Sequence, residues 1–312
     1  MLYIPNTSHD PYFNQAFEEY VFNTYKDDAV LLLWRNSPAV VCGRYQNIFA
    51  EIDVLQAEKQ HVAVVRRITG GGTVYHDLGN INYTVIAPCD PEAFDCRQLM
   101  RPVVNALRRI GVPAEINRGS DIAVDGLKVS GSAQRMVGKR VLHHGTLLYR
   151  CDLKALTSMA NGQRPYYRSK AVPSVPWPVT NMADHMEGEP VETAEFQRRL
   201  HAALTEELPL ETHVLRPPEL EEIERLAGSR YRAWEWTYGR SPAFSFRRTA
   251  TVGSGLMEIS YEAKNGVITE FVTQPRHEKL AQALRGCRLE TGAVRAALKA
   301  FPEFQNLDQV IL

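Results

Sequence analysis

The sequence lacks the features that mark several large classes of protein. Its 36 lysines and arginines are balanced by 36 aspartates and glutamates, so no surplus of positive charge indicates a nucleic-acid partner. No apolar run approaches the length of a membrane span, and the first residues do not have the pattern of a signal peptide. We therefore expect a soluble protein of the cytoplasm, or of the mitochondrial matrix if the chain is eukaryotic and processed.

Cysteine is scarce and scattered. The odd number and the absence of any CxxC pair argue against a disulfide framework and against a zinc site, and they fit a reducing compartment. We expect no protein-held metal from this composition. The five cysteines are Cys42, Cys89, Cys96, Cys151 and Cys287.

The length and the order of patterns predict the architecture. A chain of 312 residues is long for one domain, and 44% hydrophobic residues can fill a sizeable core. Strand-like and helix-like stretches are interleaved without a repeat, which predicts an α/β fold. The character of the chain changes after "WEWTYGRSPAFSF", so we place a boundary near residues 240–247, between a large domain (1–244) and a small α+β domain (245–312).

Short patterns predict individual elements. Asp10 followed by Pro11 predicts a helix start, and helical spacing predicts further helices over 97–110 and 192–207. Asp125-Gly126 and Asn265-Gly266 predict two hairpins. Buried strands are predicted for "AVLLLWRN", "AVVCGRYQN", "HVAVVRR", its expected partner "INYTVIA", and "VLHHGTLLYR".

The segment "YYRSKAVPSVPWPVTNM" is rich in proline. Pro173, Pro176 and Pro178 forbid a helix or a central strand, so we expect a long loop over the surface or over a site.

"RRITGGGTVYHDLGN", residues 66–80, places two arginines before three glycines. Without a Cβ, glycine lets successive backbone N–H groups converge on an anion, and the arginines supply positive charge. Successive strand residues point to opposite faces, so only one of Arg66 and Arg67 is expected to face the site. A flexible hairpin turn is the alternative.

A second candidate is Lys128. In the hairpin around Asp125-Gly126, we expect Leu127 and Val129 to face the core, which turns Lys128 and Ser130 the other way. The small residues of "SGSAQR" then permit close approach. A solvated strand charge is the competing interpretation of Lys128.

Together with "HHGTLL", these stretches resemble the lipoate–protein ligase A family. The family pattern is close to RRxxGGGxVxHDxGN, a hairpin with DGxKxSGSAQ, and HHGTLL, and the resemblance extends through "WEWTYGRSPAFSF" to nearly the whole chain. It implies a mixed-sheet catalytic domain like those of biotin and lipoate ligases and of class II synthetases, followed by a small accessory domain. It also implies a reaction of lipoate with ATP and Mg²⁺ to lipoyl-AMP and pyrophosphate.

In the second step that the resemblance implies, the lipoyl group passes to a lysine of a carrier. The carriers are lipoyl domains of 2-oxo acid dehydrogenase acyltransferase subunits or the glycine-cleavage H protein, and the enzyme is expected to be a monomer. Lys128 should contact the α-phosphate and the acyl oxygen as the catalytic residue. The residues that should bind ATP or lipoyl-AMP are Arg67, Gly70, Gly71, Gly72, Thr73, Val74, Tyr75, His76, Asn80, Asp121 and Lys128.

Two rival activities on this fold stay open. One is a lipoyltransferase that uses preformed lipoyl-AMP, which keeps the same motifs. The other is an octanoyltransferase, which forms a thioester on a cysteine just upstream of the lysine hairpin; "EINRGSDIAVDGLK" has no cysteine there. We further expect His76, His143 and His144 to hydrogen-bond and orient the site, and Trp234 and Trp236 to pack between domains.

Overall fold

A computed structural model describes residues 1–117, 121–160, 162, 164–175, 177–252 and 255–312. Its strands are β1 (Leu2–Tyr3), β2 (Val30–Trp34), β3 (Ala39–Cys42), β4 (Ala63–Arg66), β5 (Val74–His76), β6 (Asn80–Pro88), β7 (Ala114–Ile116), β8 (Ile122–Val124), β9 (Leu127–Lys128), β10 (Ser132–Val137), β11 (Arg140–Leu148), β12 (Tyr167–Ser169), β13 (Glu211–Thr212), β14 (Phe244–Val252), β15 (Gly255–Lys264) and β16 (Val267–Gln274).

The helices lie between and after these strands. They are α1 (Pro11–Thr24), α2 (Ile48–Glu51), α3 (Val54–Lys59), α4 (Arg97–Arg109), α5 (Ala155–Met159), α6 (Thr193–Glu207), α7 (Pro217–Leu226), α8 (Trp234–Thr237), α9 (Glu278–Leu284), α10 (Thr291–Leu298) and α11 (Asp308–Ile311). Short 3₁₀ segments span Arg164–Tyr166, Met182–His185 and Pro302–Leu307, and a π-helical turn spans Ala227–Tyr231.

The predicted helix ends are confirmed. The Asp10 carboxylate accepts hydrogen bonds from the backbone N–H groups of Tyr12 and Phe13, and Pro11 is the first residue of α1. The helix predicted for 97–110 ends at Arg109, and Gly111 follows it with a φ of +91°. Local chemistry suffices for these boundaries because a cap is satisfied by its immediate neighbours.

A mixed sheet of six strands, in the order β10-β11-β6-β2-β1-β13, forms the centre of the larger part of the chain. Side chains of β2 alternate between its two faces. Leu31 and Leu33 pack in the core that includes residues of α4 and α6, whereas Leu32 and Trp34 pack in the core that includes residues of α1 and α7. Burial on both faces explains why this strand is apolar throughout.

The strand partner predicted for "HVAVVRR" was wrong. β4 pairs in parallel with β3, in a separate sheet of order β4-β3-β5, while β6 pairs with β2 and β11 in the six-stranded sheet. The chain between β3 and β4 contains α2 and α3, which gives the crossover that parallel pairing requires. Proximity in sequence had favoured the wrong partner.

Both predicted hairpins are confirmed, since Asp125, Gly126, Asn265 and Gly266 all have positive φ. The burial predicted for Leu127 was wrong: this side chain is 40% exposed, whereas Val129 is fully buried. β9 is only two residues long and lies at the edge of the sheet β7-β8-β9, so alternation between a core face and an open face does not extend along it.

The C-terminal strands form an antiparallel sheet in the order β12-β14-β15-β16. Its edge strand β12 comes from the start of the proline-rich segment, and the described residues after it, up to Thr180, form no helix or extended strand. Pro176, one of the prolines behind this prediction, lies outside the described residues. The division at residues 244 and 245 stays a prediction.

Trp234 packs against the C-terminal part of the chain, as expected, whereas Trp236 packs within the larger part. The Trp234 ring packs on Gly266, where a Cβ would lie 2.6 Å from it, and the Trp236 indole N–H donates to the Arg66 carbonyl oxygen over 2.8 Å. The Trp234 ring thus joins residues 234–238 to the C-terminal hairpin, and the Trp236 ring joins the same segment to β4.

In the part of the chain that the structure describes, no helix is both long enough and apolar enough to cross a membrane.

Candidate active site

Arg67 holds the glycine loop, which we define as residues Gly70–Gly72, in place. Its side chain is buried, and its guanidinium donates to the carbonyl oxygens of Val41, Gly70 and Gly72 over 3.0, 2.5 and 2.8 Å, and to Thr69 Oγ1 over 2.9 Å. Because carbonyl groups of the loop point towards the guanidinium, the N–H groups of the same peptide units point away from it. Burial lowers the pKa of Arg67 to about 10, so the group remains cationic at neutral pH.

Arg66 points the other way, as the strand alternation predicted. Its guanidinium donates to the carbonyl oxygens of Gly43, Gln46 and Thr237 over 3.0, 2.8 and 2.9 Å, and to Ser241 Oγ over 3.1 Å. It ties the turn after β3 to the segment after α8. Arg66 is therefore structural, and Arg67 is the arginine of the site.

Two positions of this region require glycine, Gly43 because another backbone segment lies against it and Gly71 because its φ is positive. A Cβ on Gly43 would lie 2.0 Å from the Gly71 carbonyl oxygen, and Gly71 itself has a φ of +85°. The turn after β3 therefore lies directly against the glycine loop, which no larger residue at position 43 would allow.

A cavity of about 270 Å³ opens beside the glycine loop. Its inner wall contains buried polar and aromatic side chains, and its outer wall is formed by the proline-rich loop. The described lining residues are Gln15, Trp34, Val41, Arg67, Gly72, Thr73, Val74, His76, Asn82, Lys128, Gly131, Ser132, Ala133, His144, Gly145, Thr146, Pro173, Ser174, Val175 and Trp177.

A second cavity, of about 380 Å³, adjoins the first. Eight described residues line both: Thr73, Val74, Lys128, Gly131, Thr146, Ser174, Val175 and Trp177. The remaining described lining residues are Glu51, Tyr75, Leu148, Cys151, Asp152, Leu153, Thr157, Ala160, Arg164 and Val179. The two cavities thus form one bipartite site, with Lys128 at the junction.

Lys128 is held at this junction by Asp121. Its ammonium nitrogen lies 2.9 Å from Asp121 Oδ2, and the two side chains are 23% and 24% exposed. The Lys128 carbonyl oxygen accepts from the Thr180 N–H over 3.0 Å, which fixes the strand end against the proline-rich loop. This lysine is a partly sheltered cation, not a freely solvated one.

A buried polar chain supports Arg67. Glu18, fully buried on α1, contacts His144 Nδ1 at 2.8 Å, and His144 Nε2 lies 2.9 Å from Thr69 Oγ1, the hydroxyl that accepts from Arg67. His143 on β11 instead pairs with Tyr83, Nε2 to Oη at 3.2 Å. Both histidines hydrogen-bond, as expected, and His144 lines the first cavity, whereas His143 is not among the described lining residues of either cavity; an orienting role stays a prediction.

His76 is neutral at physiological pH. Its Nδ1 lies 3.0 Å from the Asn36 amide nitrogen, and burial, followed by the charges of Arg67 and His144, lowers its pKa to about 3. The Asn36 amide oxygen already accepts from Asn14, so the Asn36 nitrogen is the donor to His76. His76 is therefore a neutral side chain of fixed orientation in the wall of the first cavity.

The structure gathers most of the predicted site residues. Arg67, Gly72, Thr73, Val74, His76 and Lys128 line the first cavity, and Tyr75 lines the second. Gly70 and Gly71 contribute to the loop backbone that Arg67 holds, and Asp121 acts through Lys128. The ligand contacts themselves stay predictions.

Sequence reasoning missed several lining residues. The Asn80 side chain turns to Asn82, its amide nitrogen donating to Asn82 Oδ1, and it is Asn82 that lines the cavity. Gln15 and Trp34 come from α1 and β2, which meet the loop only in the folded chain. The "GRYQN" motif was the available signal for Gln46, which binds the glycine loop.

All five cysteines, each among the described residues, are free thiols. Burial raises the pKa of every one of them, which lowers the fraction of nucleophilic thiolate at neutral pH. Cys151, next to β11, lines the second cavity and is buried. Among the described lining residues of the two cavities, Cys151 is the one cysteine.

Comparison with known proteins gives a consistent result. Residues 10–205 match the family model of the lipoyl protein ligase A/B catalytic domain. Lipoate–protein ligase 1 of Staphylococcus aureus strain Mu50 is 31% identical over 98% of this chain and 92% of its own length. Lipoate-protein ligase LplJ of Bacillus subtilis strain 168 is 34% identical over 86% of this chain and 83% of its own length.

Solved structures share the fold. LipL1 of P. falciparum in complex with lipoate superposes with a TM-score of 0.65 at 21% identity, over 100% of this chain and 99% of that one. Lipoate-protein ligase A bound with ATP gives a TM-score of 0.59 at 26% identity, over 77% of this chain and 97% of that one.

The fold, with its mixed central sheet, is that of the lipoate ligases of known structure. The chain belongs to the lipoate–protein ligase family.

Proposed function

We propose that this protein is an ATP-dependent lipoate–protein ligase. A lipoate carboxylate oxygen attacks the α-phosphorus of ATP, the bond to the bridging oxygen breaks, and pyrophosphate leaves with its electron pair. The uncharged amine of an acceptor lysine then attacks the acyl carbon of lipoyl-AMP. AMP leaves, the nitrogen loses a proton, and an amide remains.

The observation that carries this proposal is the pair of adjoining cavities with Lys128 between them. Two-step acyl activation needs one compartment for the acid and one for the nucleotide, with positive charge where they meet. The first cavity reaches the buried Trp34 and suits the acyl chain. The second, which includes Leu148 and Tyr75, suits the adenosine.

Lys128 supplies the charge at the reacting atoms. Its ammonium stabilises the negative charge that develops on the α-phosphate during adenylation and on the acyl oxygen during transfer. Arg67 contributes indirectly by fixing the glycine loop. Such catalysis needs positioning and charge neutralisation and no protein nucleophile.

Mg²⁺ would enter as the counter-ion of the ATP phosphates. In the described residues, no group of three or more His, Cys, Asp or Glu side chains could hold a metal by itself. Asp121, whose carboxylate contacts Lys128, offers one oxygen near the site, and one carboxylate plus substrate phosphates is an ordinary magnesium environment.

For the acceptor, we propose lipoyl domains of 2-oxo acid dehydrogenase acyltransferase subunits, the glycine-cleavage H protein, or both. The names of the relatives, which are ligases that act on protein, support a protein acceptor. We also propose that the enzyme is a cytoplasmic monomer, and the free thiols fit that compartment.

Pyrophosphate release tests the ligase assignment directly. Purified protein with ATP, Mg²⁺ and lipoate, and without a carrier, should release pyrophosphate and form lipoyl-AMP. If neither product forms but added lipoyl-AMP is transferred to a lipoyl domain, the protein is a lipoyltransferase. If neither reaction occurs, the proposal fails.

Octanoyltransfer through a thioester is the second candidate, and Cys151 in the wall of the second cavity is the observation in its favour. Its buried thiol, beside Asp77, has a pKa well above the usual value, which disfavours it as a nucleophile. An acyl adduct on Cys151, seen by mass spectrometry after incubation with an octanoyl thioester donor, would support that activity.

A further inference from the structure

Ser174, in the proline-rich loop, lies on the glycine loop between the two cavities. Its Oγ accepts hydrogen bonds from the Thr73 N–H over 2.8 Å and from Gln46 Nε2 over 2.9 Å. A Cβ on Gly72 would lie 3.2 Å from this oxygen, so the glycine makes room for it. One neutral oxygen thus occupies a point where two N–H donors converge.

Both donors are fixed in direction. Gln46 is fully buried, and its Oε1 accepts from the Gly43 N–H over 2.8 Å and from Thr73 Oγ1 over 2.9 Å. These two donors determine which end of the amide is oxygen, so Nε2 must be the end that faces Ser174. The Gln46 side chain presents a donor that cannot turn away without breaking both bonds.

The Thr73 N–H belongs to the same peptide unit as the Gly72 carbonyl. That carbonyl accepts from the Arg67 guanidinium over 2.8 Å, which polarises the peptide and strengthens its N–H as a donor. A donor pair backed by a buried cation is better matched to an anionic oxygen than to a serine hydroxyl.

The backbone of Ser174 is held by two further residues. Its N–H donates to Glu51 Oε1 and Oε2 over 3.2 and 3.3 Å, and its carbonyl oxygen accepts from Arg164 over 3.0 Å. Arg164 also lies 3.9 Å from Glu51. Its flanking residues Pro173 and Val175 are exposed, so in this stretch of three residues Ser174 is the one held against the glycine loop.

We propose that the Thr73 N–H and Gln46 Nε2 form the binding point for an anionic oxygen of the substrates. Until substrate arrives, the Ser174 hydroxyl occupies that point. The oxygen belongs either to the carboxylate of the acid or to a phosphate of the nucleotide, since both meet between the two cavities. Gln46 is then a substrate-binding residue of the reaction, an inference that rests on the ligase function proposed above.

Calorimetric binding of ATP alone and of lipoate alone tests the inference without relying on turnover. Ser174→Ala removes the competing hydroxyl, so the substrate that supplies the oxygen should bind about fivefold more tightly, the size expected for one neutral hydrogen bond. Tighter binding of lipoate to this variant identifies the anionic oxygen as one of the carboxylate. Tighter binding of ATP identifies it as one of a phosphate. Unchanged or weaker binding of both substrates overturns the proposal.

Gln46→Glu is the complementary variant. It keeps the two bonds accepted by the side-chain oxygen but replaces the donor with a second oxygen, so the same substrate should bind roughly 10- to 100-fold more weakly. Unchanged affinity in a folded Gln46→Glu protein would contradict the assignment, and Ser174→Ala decides the question if that protein does not fold.

The matched control is Ser169→Ala, on β12 of the same loop region, which should bind like wild type. A wild-type protein that binds neither ATP nor lipoate would overturn the ligase function itself. One that binds both, with Ser174→Ala unchanged, would overturn only the role of Gln46 and Ser174.

Discussion

Lys128→Ala is the substitution that tests the proposed chemistry most severely. The ammonium lies at the junction of the two cavities, 2.9 Å from Asp121 Oδ2, where the acid and the α-phosphate would meet. Loss of one preorganised group that stabilises developing charge typically lowers the rate by about 10²–10³. Because the same ammonium serves both steps, single-turnover adenylation and single-turnover transfer should fall together.

Folding should be little affected. The Lys128–Asp121 pair is partly exposed, and such pairs contribute roughly 0–1 kcal/mol to the free energy of unfolding, equivalent to a shift of no more than about 2–4 °C in Tm. Lys128→Arg should also be inactive, because a planar guanidinium group does not replace a compact ammonium group that lies between two oxygens. Melting curves recorded beside the kinetics separate a chemical effect from unfolding.

Lys139→Ala is the control for loss of a positive charge. Lys139 is exposed in the turn between β10 and β11, and its removal should leave both rates at the wild-type level. The mechanism would be refuted if Lys128→Ala, correctly folded, adenylated lipoate at a near-normal rate. Lys128 would then be only an ion-paired strand residue.

Three further outcomes are expected. Gly43→Ala should unfold at a lower temperature and lose most activity, because its Cβ would lie 2.0 Å from the Gly71 carbonyl oxygen; wild-type melting and turnover would contradict this contact. Burial lowers the pKa of His76 to about 3 and the pKa of His143 to about 4. Below pH 6.5 the unfolded chain therefore binds more protons than the folded chain, so the free energy of unfolding decreases as the pH is lowered from 6.5 towards these values. At pH 5 the decrease is about 2 kcal/mol for each residue. Denaturant unfolding between pH 7 and 5 measures this loss, and a flat profile would refute it. Cys151→Ala should retain lipoyl transfer, and mass spectrometry of wild type after turnover should show no acyl thioester.

Local chemistry was enough to predict much of the fold. Asp10 with Pro11 determined a helix start, and Asp125-Gly126 determined a hairpin, because each pattern is satisfied within a few residues of itself. The opposite directions of Arg66 and Arg67 followed from strand geometry alone. The glycine run beside them identified the loop of the site for the same reason.

Pairing between distant segments could not be read in this way. β4 and β6 both have the apolar pattern of buried strands, and only the placement of α2 and α3 decides that β4 pairs with β3. Leu127 is exposed because its strand is short and lies at an edge, which depends on the neighbouring elements.

The sequence by itself therefore determined the glycine loop, its arginine and the lysine hairpin, since those features depend on backbone freedom, alternation and charge along a short stretch. Only the tertiary structure decided what surrounds them. Gln46 and Ser174 are 128 residues apart and meet at Thr73 because the turn after β3 and the proline-rich loop both pack on the glycine loop. Such contacts arise from the packing of whole elements, and no local pattern specifies which of them become neighbours.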